Sequence, residues 1–130
     1  MTRIKVLTRD DMNDEQGRIY DEAQAAGWPV GGPYTAYIRI PELMRRMQDL
    51  RNGMQDGPLS ARERQIAHLA IARHWGAKYP WFAQARASLA VGVEQEIIDA
   101  INARREPGLD DPRERAAYQV AKELLADHGL

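Results

Sequence analysis

The chain has 130 residues, no cysteine, and 18 basic against 19 acidic side chains, which gives a net charge of -1. A chain of this length can form one domain with a real core, and the lack of cysteine excludes disulfides, thiolate metal sites and thiol redox chemistry. The balanced charge supplies no overall field for nucleic acid or an anionic membrane, and no apolar run approaches the ~20 residues of a membrane span, so we expect a soluble, cytoplasmic protein.

Helical spacing of apolar residues along nearly the whole chain predicts an all-α fold, here a single domain over residues 1–130. Residues 1–12 are expected to form an arm. Asn13 and Gln16 resemble a capping box at the start of the first helix, which Gly27 can close in a left-handed conformation. Its buried side would carry Ile19 and Ala23.

The next helix is predicted after a connector at residues 28–40 that is rich in glycine and proline near its start. Pro41 suits a first helical position, and the helix continues from Glu42. Its apolar stripe comprises Leu43, Met44, Met47, Leu50 and Met54. A methionine stripe of this kind indicates a core or partner-facing surface and not a cofactor site.

Residues 58–104 read as three helices joined by tight breaks. Ser60 and Glu63 form a second predicted capping box, before a long helix that runs to about Trp75 and stops at Gly76. Pro80 can start the next helix, Gly92 ends it, and Glu94 to Ala103 forms the third. A charged loop at 105–112 leads to a terminal helix, with Asp111 as its cap and Pro112 in its first turn. The fold thus has about six helices. The terminal helix carries Ala116, Ala117, Val120, Leu124 and Leu125 on one side.

One face of the long helix carries the strongest candidates for chemistry. At 100° per residue, Arg64, His68, Ile71 and Trp75 share this face, with Gln65 beside them. A cation, an imidazole and an indole in one line could bind a carboxylate and move a proton, because histidine titrates nearest neutral pH. The alternative is that His68 is a hydrogen-bonded histidine in a helix interface.

The remaining polar residues predict no metal and no cofactor. His74 falls on another face of the long helix, and His128, near the carboxyl end, is most simply a solvated side chain. No HExxH, dinucleotide or P-loop motif occurs. On the helix from Pro80, the side chains of Trp81, Gln84 and Ser88 share a face. Gln84 can orient a substrate but cannot act as a base, and Ser88 has no histidine at a local spacing.

Four segments between about residues 30 and 128 form one pattern: Gly32 and Pro33, PELMRRM, LSARERQIAHLAIARHWGAKYPWFAQARASLAVGVEQEIIDAI and DDPRERAAYQVAKELL. Together they resemble the carboxymuconolactone decarboxylase family, within the alkylhydroperoxidase D-like superfamily. The resemblance implies an all-helical fold that assembles as trimers or hexamers, and decarboxylation of a lactone acid without a cofactor. The family's peroxidase branch needs cysteines, which this chain lacks.

This chain departs from the family pattern at three polar positions. Resembling members tend to carry glutamates where Gln65 and Pro80 stand and a histidine where Gln84 stands. One interpretation is a redirected enzyme that acts on a small acidic or cyclic metabolite. Its catalytic residues would be His68 and Arg64, and its substrate-binding residues would be Gln65, Trp75, Trp81 and Gln84.

The other interpretation is a catalytically silent ligand-binding or assembly subunit. Relatives of the longer type often continue through more helices, so the apolar side of the terminal helix would lack neighbours within the chain. We therefore expect a homo-oligomer, or a second chain that supplies the missing helices.

Overall fold

The computed structural model describes residues 4–127, and over this range the chain contains seven α-helices and no β-strand. This confirms the all-α prediction. None of these helices is long and apolar enough to cross a membrane. The helices are α1 (Asp14–Ala25), α2 (Tyr34–Tyr37), α3 (Pro41–Gln55), α4 (Ala61–His74), α5 (Lys78–Ala90), α6 (Gln95–Asn102) and α7 (Pro112–Asp127).

The chain divides into two compact units, Met1–Gly57 and Pro58–Leu130, which are described in turn. That the two form one domain stays a prediction. The first unit has a core of Ile19, Ala23, Ile38 and Met44. The burial of Ile19 and Ala23 on α1 is as predicted. The apolar stripe predicted on α3 is only partly buried. Met44 is fully buried, whereas Leu43, Leu50 and Met54 are exposed.

The predicted helix starts are confirmed at three places by side-chain caps. In α1 the amide N–H of Gln16 donates to Asn13 Oδ1 at 2.9 Å, and Asn13 N–H donates to Gln16 Oε1 at 3.1 Å. Before α4, Ser60 and Glu63 exchange the same pair of hydrogen bonds. Before α7, Asp111 Oδ1 accepts from the N–H of Arg113 at 2.7 Å. Each cap satisfies amide groups that a helix leaves unpaired in its first turn.

The structure differs from the sequence prediction at one helix start and in two short helical segments. Helix α5 begins at Lys78, so Pro80 is its third residue and not its first. Proline is tolerated there because amides of the first turn have no partner within the helix. The short helix α2 lies inside the predicted connector, and residues 9–11 of the predicted arm form a 3-10 turn.

Four helices end in the same hydrogen-bonded motif with a left-handed residue directly after the cap. In α1, α4 and α5 that residue is glycine, namely Gly27, Gly76 and Gly92. In α6 it is Arg104, with φ at 56°. The N–H of Arg104 donates to Ile101 O and that of Arg105 to Ala100 O, as in a Schellman motif.

Helix α4 is the centre of the second unit, where it packs against α5, α6 and α7. The buried cluster of this unit consists of Ile66, Leu69, Val93, Ile97, Ile98, Ile101 and Leu109. Ile66 and Leu69 occupy the core side of α4, and α5 and α7 pack on the two flanks of this helix. These two flanks hold the polar residues described next.

Candidate active site on helices α4 and α5

His68 lies on α4 and is half-buried. Burial lowers the pKa of its imidazole below the usual 6.5, the positive charge of Arg64 lowers it further, and a hydrogen bond with the Gln84 side chain acts in the opposite direction. Nδ1 of His68 is buried and has no hydrogen-bond partner among residues 4–127. The imidazole is therefore neutral at pH 7, with a nitrogen that no described group satisfies.

Two further buried polar atoms on α4 and α5 have no partner in the described part of the chain. They are Oε1 of Gln65, three residues before His68 on α4, and Oγ of Ser88, four residues after Gln84 on α5. Residues three or four apart lie on one side of a helix, and α4 and α5 form a helical hairpin. An unpaired buried polar group costs stability unless a bound water or ligand satisfies it, so these three atoms are candidates for contacts with either.

The other predicted site residues differ in their burial and in their contacts. Arg64 is half-buried, acts electrostatically on His68, and donates a hydrogen bond to the carbonyl of Leu59. Trp75 caps the end of α4 with 67% of its surface exposed, and its ring meets His74 edge to face. Trp81 is half-buried and packs against the core cluster. His128 lies outside the described residues.

Two ion pairs between α4 and α7 were not foreseen from the sequence. Arg62 Nε lies 2.6 Å from Glu114 Oε1, and Arg113 Nε lies 2.6 Å from Glu63 Oε1. Both carboxylates are buried, and Arg113 lowers the pKa of Glu63. The available signal was a repeated Arg-Glu-Arg at 62–64 and 113–115, one at the start of each helix.

An apolar groove of about 440 Å³ runs between α4 and α7. The alanines Ala67, Ala116, Ala117 and Ala121 line it together with Leu59, Ile71, Val120 and Leu124, each of which is 42–45% exposed. Three other concavities lie along α5, beside the end of α6, and beside its start. None of these four concavities is lined by His68 or Gln84.

No group of three or more histidine, aspartate or glutamate side chains within residues 4–127 is arranged to hold a metal ion. Searches of curated proteins and of solved structures return no match to this chain. The sequence model of the carboxymuconolactone decarboxylase family, in contrast, matches residues 41–123, well over half of the chain. The chain is therefore a member of the carboxymuconolactone decarboxylase family.

Proposed function

We propose that this protein is a cofactor-independent enzyme that uses His68 for acid-base chemistry on a small acidic or cyclic metabolite. The observation that carries the proposal is the buried Nδ1 of His68, which has no partner among residues 4–127 and lies in a cluster with Gln65 and Ser88. A half-buried imidazole with a lowered pKa holds a free lone pair at neutral pH, as a general base requires. Perturbed titratable groups of this kind are concentrated at functional sites.

The surrounding residues suit defined tasks in such a reaction. Arg64, whose charge already acts on His68, would attract a substrate carboxylate, and Gln84 would fix the orientation of the imidazole. Gln65 would take a hydrogen bond from the substrate through Oε1. The neutral imidazole would accept a proton from carbon and return it to another carbon. In a decarboxylation the imidazolium would protonate the carbon from which CO2 departs.

Trp75 and Trp81 would play unequal parts in substrate binding. The exposed indole of Trp75 lies at the end of the face shared by Arg64 and His68, so it can cover an apolar part of the substrate. Trp81 packs on the core and would hold the Gln84 side chain in position, since it lies one helical turn away on α5.

The test is turnover of unsaturated lactone acids and their isomers by the purified protein, followed by NMR. His68→Gln should lower kcat about 10²- to 10⁴-fold, because it removes a general base. His74→Gln, six residues along α4 and exposed, is the matched control and should keep the wild-type kcat, because His74 lies on another face of the helix. Equal turnover by His68→Gln and the wild type would show that His68 is not the base.

The second candidate is a silent assembly subunit, and exposed apolar side chains favour it. On the outer side of α5, Tyr79, Phe82 and Leu89 are 49–59% exposed, and the groove between α4 and α7 is apolar as well. Surfaces of this kind mark interaction sites. We therefore propose a homo-oligomer, or a complex with a second chain that covers these surfaces.

Sedimentation velocity tests this candidate directly. The wild type should sediment as a multimer of the 14.7 kDa chain, and Val120→Lys should shift it toward monomer. Gln119→Lys adds the same charge at the neighbouring exposed position of α7 and should leave assembly unchanged. A wild-type monomer at micromolar concentration would count against assembly without affecting the proposal for His68.

A further inference from the structure

A small pocket of about 200 Å³ lies in the second unit, beside the ends of α4 and α6 and along α7. Five polar side chains line it: Arg73 and His74 from the last turn of α4, Arg104 after α6, and Tyr118 and Lys122 from α7. No carboxylate from residues 4–127 lines this pocket. It is separate from the cluster around His68, which shares none of these residues.

The cations of this pocket are only partly neutralised. Lys122 pairs with Glu106 at 2.7 Å and lies 5.5 Å from the centre of the Tyr118 ring. Arg73 donates through Nε to the carbonyl of Asn102 and, like Arg104, has no ion pair with any residue in the range 4–127. Among residues 4–127, one carboxylate, that of Glu106, is set against the three cations Arg73, Arg104 and Lys122, an excess of two positive charges.

The backbone of Arg104 is the second observation. Of the four helices that end in the Schellman motif, three have glycine at the left-handed position, where a side chain is unfavourable. Only α6 has a larger residue there, at φ 56°. A cation near a helix end interacts favourably with the helix dipole, but an arginine one or two residues earlier or later would do so without strain. The side chain of Arg104 at this position therefore needs a reason beyond the dipole.

We propose that this pocket is an anion-binding site for the phosphate or carboxylate group of a small metabolite. The guanidinium groups of Arg73 and Arg104 provide planar donor pairs that match the oxygens of either group. Lys122 adds a point charge, and the hydroxyl of Tyr118 adds a donor. The pocket volume accommodates one such group with part of the molecule that carries it.

Calorimetry and thermal unfolding of the full chain test the proposal, with inorganic phosphate in one arm and malonate in the other. Sodium chloride keeps the ionic strength constant, so that general screening does not change. The wild type should bind at least one anion saturably and gain Tm with its concentration. Binding of phosphate alone identifies a phosphate site, binding of malonate alone a carboxylate site, and each result supports the proposal.

Arg104→Gly is the decisive variant, because it should change stability and binding in opposite directions. Without anion its Tm should rise, since glycine relieves the left-handed backbone. Its Kd for the anion should rise about tenfold or more, because a charged hydrogen-bonding group is lost. Arg105→Gly is the matched control at the next residue, where φ is not positive, and should lower Tm while leaving the Kd unchanged.

Two results would overturn the proposal. One is a wild type that binds neither phosphate nor malonate at millimolar concentration. The other is Arg104→Gly with the same Kd as the wild type. Arg104→Lys keeps both the charge and the left-handed backbone, so it should bind more tightly than the glycine variant. Equal affinities of the lysine and glycine variants would likewise exclude a role for the charge at this position.

Discussion

The two flanks of helix α4 differ in whether their polar side chains have partners among the described residues. On the flank toward α7, Arg62 and Glu63 are both paired, with Glu114 and Arg113. On the flank toward α5, buried atoms of Gln65, His68 and Ser88 have no partner among the described residues. Satisfied pairs hold two helices together, whereas unsatisfied buried atoms weaken a fold. Under the proposed function, the first flank serves stability and the second serves chemistry.

The largest stability effect is expected at Glu63. Glu63→Ala removes both the cap on Ser60 N–H and the carboxylate that pairs with Arg113, so the free energy of unfolding should fall by about 2 to 3 kcal/mol. Urea denaturation measures this. Glu22→Ala breaks an exposed pair with Arg18 and should cost less than about 0.5 kcal/mol. Equal losses in the two variants would remove the distinction between the flanks.

A smaller effect is expected for the coupling between Arg62 and Glu114. In a double-mutant cycle with alanine at both positions, the coupling energy should be about 1 to 2 kcal/mol, because Glu114 is buried. The cycle for Arg46 and Glu42, an exposed pair on α3, should give less than about 0.5 kcal/mol. A coupling near zero for Arg62 and Glu114 would mean that this contact contributes nothing to the α4 and α7 interface.

Local patterns made much of the fold predictable from the sequence. The caps at Asn13 and Ser60 depend on residues three positions apart, and three of the four left-handed helix ends carry glycine, so neighbouring residues are sufficient to recognise them. The start of α5 was misplaced because Pro80 is compatible with any position of a first turn. Arg104 gives no signal, since the expected residue at its position is glycine.

Contacts between distant residues were much harder to predict. Periodicity predicts which residues share a face of α4 or α5 but does not say which faces meet, and the pairing of Glu63 with Arg113 joins residues 50 positions apart. The repeated Arg-Glu-Arg indicates charge at two helix starts without indicating that the two cross-pair. The candidate site was recognised by residue type alone, because titration properties depend on burial that only the folded chain supplies.

The pH dependence of stability separates the two flanks further. The pKa of His68 is lower in the folded chain than in the unfolded chain, so the unfolded state takes up the proton first and stability falls as the pH drops below about 6.5. The pKa of Glu63 is also lowered, and its contribution is lost only as the pH falls below 4.5. His68→Gln should reduce the loss of stability below about pH 6.5 and keep the loss below pH 4.5. Urea denaturation at pH 7, 5.5 and 4 measures the free energy of unfolding in both ranges. If His68→Gln loses as much stability between pH 7 and 5.5 as the wild type, His68 is not the group responsible.

The smallest stability effect is expected at Ser88, although it is fully buried. Its hydroxyl has no partner within residues 4–127, so Ser88→Ala removes an unsatisfied group and should change the free energy of unfolding by less than about 0.5 kcal/mol or increase it slightly. Gln65→Leu should behave alike on α4. If the flank toward α5 serves chemistry, both variants should lose ligand binding or turnover while they keep their stability. A large destabilisation by Ser88→Ala would instead show that this hydroxyl is part of the packing that joins α4 to α5.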